Sequence, residues 1–189
     1  MTRYRTIVAD PPWDYGPDNA RQVSITRGGN GPRTIKSIGY PTMSIVEISA
    51  LPVHEMAEND ARLFMWTTNR HLPESFGVMD AWGFTYKQTL VWHKTGNPSP
   101  FGGSVAPNHA EFLLVGTAGK PASIGRLAGS VVSLPAAVSG HSAKPEAWLD
   151  FIETVSPGPY LEMFARRNRL GWDTWGNEAL EHVQIGGSA

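Results

Sequence analysis

Apolar positions recur along the chain in two rhythms. Residues 6–9 (TIVA) form a short β-branched run that stops at Asp10, the pattern of a strand buried on both faces. Residues 62–67 (RLFMWT), 111–117 (EFLLVGT) and 160–165 (YLEMFA) repeat it. Residues 85–93 are partly alternating, and 131–134 and 171–176 are shorter candidates. Between these lie helical stretches. Ser44 is placed as an N-cap with Glu47 at the capping-box position, which predicts a helix from 44 to about 58. A second helix is expected over 70–81, stopped near Gly83. A third is expected over 144–155, with Trp148, Leu149, Ile152 and Val155 as its apolar stripe. Strands alternate with helices, so the expected class is α/β, with crossover helices covering a sheet.

Two segments have neither rhythm. Residues 14–39 are rich in Gly, Asn and Pro and carry Arg21, Arg27, Arg33 and Lys36; residues 95–108 contain the run GNPSPFGG. Loops this long are uncommon inside a compact domain and usually mean function or disorder. Both are expected on the substrate side, with the four cations as phosphate contacts; a solvated insertion is the alternative. No repeat or internal boundary appears. One domain is expected over 1–189, with 179–189 as a tail.

Composition narrows the chemistry. The 189 residues carry 16 Lys+Arg and 17 Asp+Glu, a formal charge of −1, so nucleic-acid affinity must come from local patches. There is no cysteine, which excludes disulfides, cysteine-ligated metals and a thiolate nucleophile. None of the six histidines pairs at the i, i+4 spacing of a zinc helix, so no metal is expected. No apolar run reaches membrane-spanning length and the N-terminus has no signal-like stretch; a cytoplasmic protein is the expectation.

The sharpest chemical feature is Asp10-Pro11-Pro12-Trp13, directly after the first strand. Ligands of open α/β sheets sit beyond the carboxyl ends of strands. Proline has no N–H, so the pair offers carbonyl acceptors on a stiff backbone with few competing donors. With the Asp10 carboxylate, it can accept both N–H groups of an exocyclic amine. Trp13 offers a flat face for a base, a contact worth ~1–3 kcal/mol. A plain strand-ending turn, with Trp13 as a core anchor, is the competing reading.

Asp10–Trp13 resembles the catalytic motif of the DPPW-type adenine-N6 methyltransferases, a family that includes the eukaryotic enzyme methylating adenosine in messenger RNA and bacterial and phage relatives. The resemblance continues in order through Tyr40-Pro-Thr-Met43, Leu63-Phe-Met-Trp-Thr-Thr-Asn69, Trp82-Gly-Phe to Val91-Trp-His-Lys94, and Asn108-His-Ala-Glu111 with Leu114-Val-Gly116. His141-Ser-Ala-Lys-Pro145, Leu161-Glu-Met-Phe-Ala-Arg166 and Trp172 to Gly176-Asn-Glu178 complete it, over about residues 4 to 178.

The resemblance implies a permuted Rossmann-like methyltransferase fold with a mixed, mostly parallel sheet. Its catalytic motif precedes the cofactor-binding strand, and S-adenosylmethionine is the methyl donor. It implies Asp10, Pro11, Pro12 and Trp13 as the catalytic set. Lys144, with Asp10, would meet the methionine part of the cofactor. Lys144 is expected at a helix start, where a cation opposes the dipole by ~0.3–1 kcal/mol. Arg166 and Asn168 would reach the ribose, although many relatives carry His at the position of Asn168. Asn177 and Glu178 would read the cofactor's adenine; other relatives have Gln in place of Glu178. Glu162 is placed with the cofactor residues, either on a solvent face or paired with Arg166. Tyr40 would close over the target adenine, with Lys94, Asn108, His109 and Glu111 lining the substrate side. The implied partner is nucleic acid, DNA rather than RNA, with a homodimer as the assembly. A non-catalytic presenting subunit and a methyltransferase for free nucleotides are the rivals.

Overall fold

The structure, a computed structural model, describes residues 2–15, 41–96, 105–135 and 144–176. Seven strands are found there: β1 (Tyr4–Ala9), β2 (Ala57–Thr67), β3 (Thr85–Thr95), β4 (Ala110–Ala118), β5 (Val131–Pro135), β6 (Tyr160–Met163) and β7 (Trp172–Trp175). They form one sheet in the order β5-β3-β4-β2-β1-β6-β7. β4 runs antiparallel to both its neighbours and every other pairing is parallel. The expected α/β class with a mixed, mostly parallel sheet is what the chain adopts.

The strand sequences explain the two-faced core. Ile7, Leu63, Met65, Leu114 and Leu161 face one way, onto α3 (Leu72–Ala81) and the short helices α1 (Ile45–Ser49) and α2 (Val53–Met56). Their neighbours Val8, Phe64, Trp66 and Leu113 face the other way, onto Trp148, Leu149 and Ile152 of α4 (Ala147–Val155). The period of two sends successive side chains to opposite faces, and both faces are covered, so the strands read as continuous apolar runs.

The expected helix over 44–58 is two short helices and the start of a strand. Its capping box is real: the Glu47 amide donates to Ser44 Oγ at 3.2 Å, and the Ser44 amide donates to the Glu47 carboxylate at 2.8 Å. The helix nevertheless ends at Ser49. Pro52 has no N–H to continue the ladder, and Trp82 Nε1 donates to the Ile48 carbonyl at 2.9 Å. β2 then begins at Ala57, five residues before the apolar run. Its polar opening is tied down from outside the sheet, because the Lys120 amide donates to Asp60 Oδ1 at 2.7 Å. Gly119 makes that turn possible. Its φ is +56°, and a Cβ there would lie 2.2 Å from Asp60 Oδ1.

α4 starts at Ala147, so Lys144 precedes the helix rather than opening it, and the dipole argument does not apply. At the end of β2 away from Asp10, Arg62 donates to the carbonyls of Ala122 and Val155 and to the Ser123 hydroxyl, joining β2 to the segment after β4 and to the last residue of α4. Among the described residues no helix is long and apolar enough to cross a membrane.

Candidate active site

The parallel strands deliver their carboxyl ends to one edge. Asp10 follows β1, Thr67 ends β2, Lys94 is near the end of β3, and Arg166 lies just past β6. β4 runs the other way, so its second residue, Glu111, reaches the same edge from its beginning.

These residues form a string of alternating charge. Lys144 Nζ lies 2.8 Å from each carboxylate oxygen of Asp10 and 3.3 Å from Glu111 Oε2. Lys94 Nζ donates to Glu111 Oε1. Both ammonium groups also sit over indoles, Lys144 at 5.4 Å from the Trp66 ring centre and Lys94 at 4.8 Å from that of Trp92. Burial works against a charge on Lys144, but the Asp10 and Glu111 carboxylates outweigh it and raise its pKa. Burial likewise opposes ionisation of Glu111, which is 7% exposed; Lys144 first and Lys94 second hold its carboxyl below the usual range.

Pro11 and Pro12 are less free as acceptors than the lack of proline donors suggests. The Pro11 carbonyl accepts from the Trp13 amide at 2.9 Å, and the Pro12 carbonyl from the Met43 amide at 2.8 Å. Each keeps one lone pair. Trp13 also differs from expectation. It is 4% exposed, its Nε1 donates to the Trp66 carbonyl at 3.2 Å, and one face is stacked on His71 at 5.5 Å. It anchors the motif rather than offering an open stacking face. Tyr15, set edge-on to His71 at 4.7 Å and near the Thr68 hydroxyl, also lines the first cleft.

Two clefts meet at this edge. The first, about 340 Å³, is bounded by Asp10–Trp13, Tyr15, Thr67, Thr68 and Glu111. The second, about 510 Å³, is bounded by Val8, Trp66, Trp148, Glu162, Phe164 and Arg167. Asp10, Lys144 and Arg166 border both. Two buried polar atoms of residues lining the second cleft, Trp148 Nε1 and Glu162 Oε2, have no hydrogen-bond partner among the described residues. One is a donor and the other belongs to a carboxyl. Burial pushes the Glu162 pKa up to about 7; Arg167 opposes that rise and Asp10 adds to it. Glu162 is therefore neither on a solvent face nor governed chiefly by Arg166: Arg167 is the cation with the largest influence on it.

The remaining candidates divide. Asn168 Nδ2 donates to Thr174 Oγ1 at 3.5 Å. Asn108 Oδ1 accepts from the Ala110 amide at 3.2 Å and from Asn69 Nδ2 at 3.4 Å, shaping the entry to β4. The His109 carbonyl accepts from the Lys94 amide at 2.7 Å. Arg21, Arg27, Arg33, Lys36, Tyr40, Asn177 and Glu178 lie outside the described residues. The sequence did not single out Tyr15, Thr68, His71 or Arg167, and it offered Trp148 only as part of an apolar stripe. Its one available signal was that Tyr15 stands two residues past the motif and His71 just past the end of a strand. Among the described residues no cluster of three His, Asp or Glu side chains is arranged to hold a metal ion.

Residues 4–178 match the MT-A70 family over nearly the whole chain. The chain belongs to the MT-A70 family. Among its relatives, the Type II methyltransferase M.MunI of Mycoplasma sp is 38% identical, with 93% of this chain covering 78% of that protein. The N6-methyladenosine RNA methyltransferase MTA1 of Cryphonectria parasitica is 32% identical, over 94% of this chain and 52% of the relative. The human N(6)-adenine-specific methyltransferase METTL4 is 27% identical, over 96% of this chain and 39% of the relative. Together these make the MT-A70 domain an adenine-N6 methyltransferase. Membership implies S-adenosylmethionine as methyl donor. The second cleft fits that molecule: it offers an unpaired donor, an unpaired carboxyl and cations for a ligand that carries hydroxyls, an amine and a carboxylate.

Proposed function

We propose that this MT-A70 domain transfers the methyl group to adenine N6 within nucleic acid, DNA in preference to RNA, with the amine in the first cleft and the methyl donor in the second. One observation carries the reading: Asp10, pinned through both oxygens by Lys144, stands on the border between the two clefts. The greater identity to a Type II methyltransferase (38%) than to an RNA methyltransferase (32%) supports DNA.

The methyl donor supplies an activated methyl on a sulfonium sulfur. The protein contributes orientation. An adenine amine is a weak nucleophile because its lone pair is delocalised into the ring. Asp10 and the spare lone pair of the Pro11 carbonyl accept its two N–H bonds and turn the lone pair toward the second cleft. Lys144 fixes the Asp10 carboxylate so that this geometry exists before the base arrives. As the N–C bond formed, the methyl–sulfur bond would break with its electron pair left on the sulfur; the amine would become cationic and lose a proton to Asp10 or to water. Lys144 would meet the methionine part, Arg166 and Asn168 would reach the ribose, and Glu162 would face the cofactor from the wall of the second cleft. A base in a duplex is stacked, so a double-stranded substrate must be flipped out. Arg21, Arg27, Arg33 and Lys36 hold phosphates, Tyr40 covers the base, and Asn177 and Glu178 read the cofactor's adenine.

The test is methyl transfer from labelled S-adenosylmethionine to single- and double-stranded DNA and RNA, with products identified by mass. N6-methyladenine in DNA, lost in Asp10→Ala, is expected. Methylated RNA with unmethylated DNA would reverse the acceptor preference. Transfer unaffected by Asp10→Ala would sink the assigned chemistry.

A further inference from the structure

Lys94 borders neither cleft, yet it closes the string of charges that ends on Asp10. Its backbone is fixed by the bond from its amide to the His109 carbonyl at 2.7 Å, and its ammonium lies against the Trp92 ring and Glu111. The charged groups acting on Glu111 are Lys144 and Lys94. Glu111 and Asp10 in turn share Lys144.

The distances show how that sharing is resolved. Lys144 is closer to Asp10, at 2.8 Å to both oxygens, than to Glu111, at 3.3 Å. An ammonium has three donors, and a second carboxylate nearby competes for them. The competitor here is nearly buried and cannot turn to water. Its other oxygen is satisfied by Lys94.

We propose that Lys94 is a positioning residue for methyl transfer: it neutralises Glu111 so that Lys144 remains directed at Asp10. This rests on the assignment of Asp10 to the amine. Lys94 lines neither cleft, where the substrate-side expectation had placed it, and acts through Glu111. Without it, Glu111 pulls Lys144 away from Asp10 or takes up a proton. Either change disturbs the carboxylate that orients the amine.

The experiment combines Lys94→Met, Lys94→Arg, Glu111→Gln and the double variant Lys94→Met/Glu111→Gln in the full chain. Single-turnover and steady-state transfer are measured for each. Glu111 is followed separately by carbon-13 NMR of glutamate side-chain carboxyls, its signal identified by its loss in Glu111→Gln. In Lys94→Met, kcat is expected to fall about tenfold or more, the scale of a lost charge-assisted bond, with KM for S-adenosylmethionine little changed. The Glu111 titration is expected at higher pH, and Lys94→Arg is expected to restore both. In the Glu111→Gln background, Lys94→Met is expected to have no further effect. Equal losses with and without Glu111 would overturn the proposal by showing that Lys94 acts directly. An unmoved Glu111 titration would also overturn it. The NMR readout does not need transfer to occur, so the two failures are distinct: a protein that methylates no adenine refutes the functional reading, and an unshifted Glu111 signal refutes the coupling to Lys94.

Discussion

The two clefts share Asp10, Lys144 and Arg166 and differ in how their other polar groups are satisfied. Around the first, the Pro11 and Pro12 carbonyls, the Trp13 indole and the Glu111 carboxylate all have partners within the protein. Around the second, Trp148 Nε1 and Glu162 Oε2 are buried and unpaired. Leaving such a group without a partner costs ~1–3 kcal/mol. The motif of the first cleft is thus held by partners within the protein, and the unpaired atom on that side, His71 Nε2, lies in the ring packed on Trp13 and Tyr15. In the second, the two unpaired atoms belong to residues that line the cleft itself. In the reading proposed above, orientation and affinity come from different parts of one edge of the sheet.

The sharpest way to break this contrast is to remove the group common to both sides. Lys144→Met removes the cation from Asp10 and leaves the buried Glu111 with Lys94 alone, and urea unfolding is expected to show a loss of about 3 kcal/mol at neutral pH. A loss below about 1 kcal/mol, the range of an exposed pair, would mean that the string of charges is solvated.

Glu162 should respond in the opposite sense. Its folded pKa, about 7, stands above the ordinary glutamate value of 4.5. Between those values the folded state holds a proton that the unfolded chain has released, so the Glu162 contribution to stability falls as pH rises through this window. Glu162→Gln is expected to stabilise the free protein by on the order of 2–3 kcal/mol at about pH 8 and by little near pH 4.5. Thermal melts at the two pH values check this. Saturating S-adenosylhomocysteine is expected to narrow the difference between Glu162→Gln and wild type.

Two smaller effects sharpen the comparison. Trp148→Phe keeps most of the packing against Trp66 and Phe151 but removes the unpaired N–H. Calorimetry is expected to show S-adenosylhomocysteine bound about 2- to 10-fold more weakly, one hydrogen bond's worth. Trp13→Phe removes a bond already satisfied inside the protein, so the expected loss is about 1 kcal/mol of stability with cofactor affinity unchanged.

The sheet was legible in the sequence because its strands are buried on both faces and leave unbroken apolar runs, as in β1 and β4. The opening of β2 was not. Glu58, Asn59 and Asp60 have poor strand composition, and they are extended because Gly119 and Lys120, about 60 residues on, close over them. The break at Pro52 was visible, but the capping box at Ser44 spoke for a longer helix. At the site, the motif positions of Asp10, Lys144 and Glu111 follow from resemblance, and their alternation with Lys94 was invisible because it joins three strand ends and the approach to α4. Trp13 reads as a stacking face because nothing in the sequence around the motif shows that His71 covers it. Trp148 falls on an apolar stripe at helical spacing, which hides the one polar atom of its ring.

β4 is the strand that runs against the rest, and its direction has a consequence for how such a protein can diversify. Because β3 ends and β4 begins at the edge where the chemistry sits, the connection from Thr95 to Ala110 has both feet beside the reacting groups and neither in the core. If that connection meets the acceptor, as its position proposes, acceptor preference and turnover are separately heritable traits, and a library randomised only at residues 97–107 tests it by whether preference changes while turnover holds.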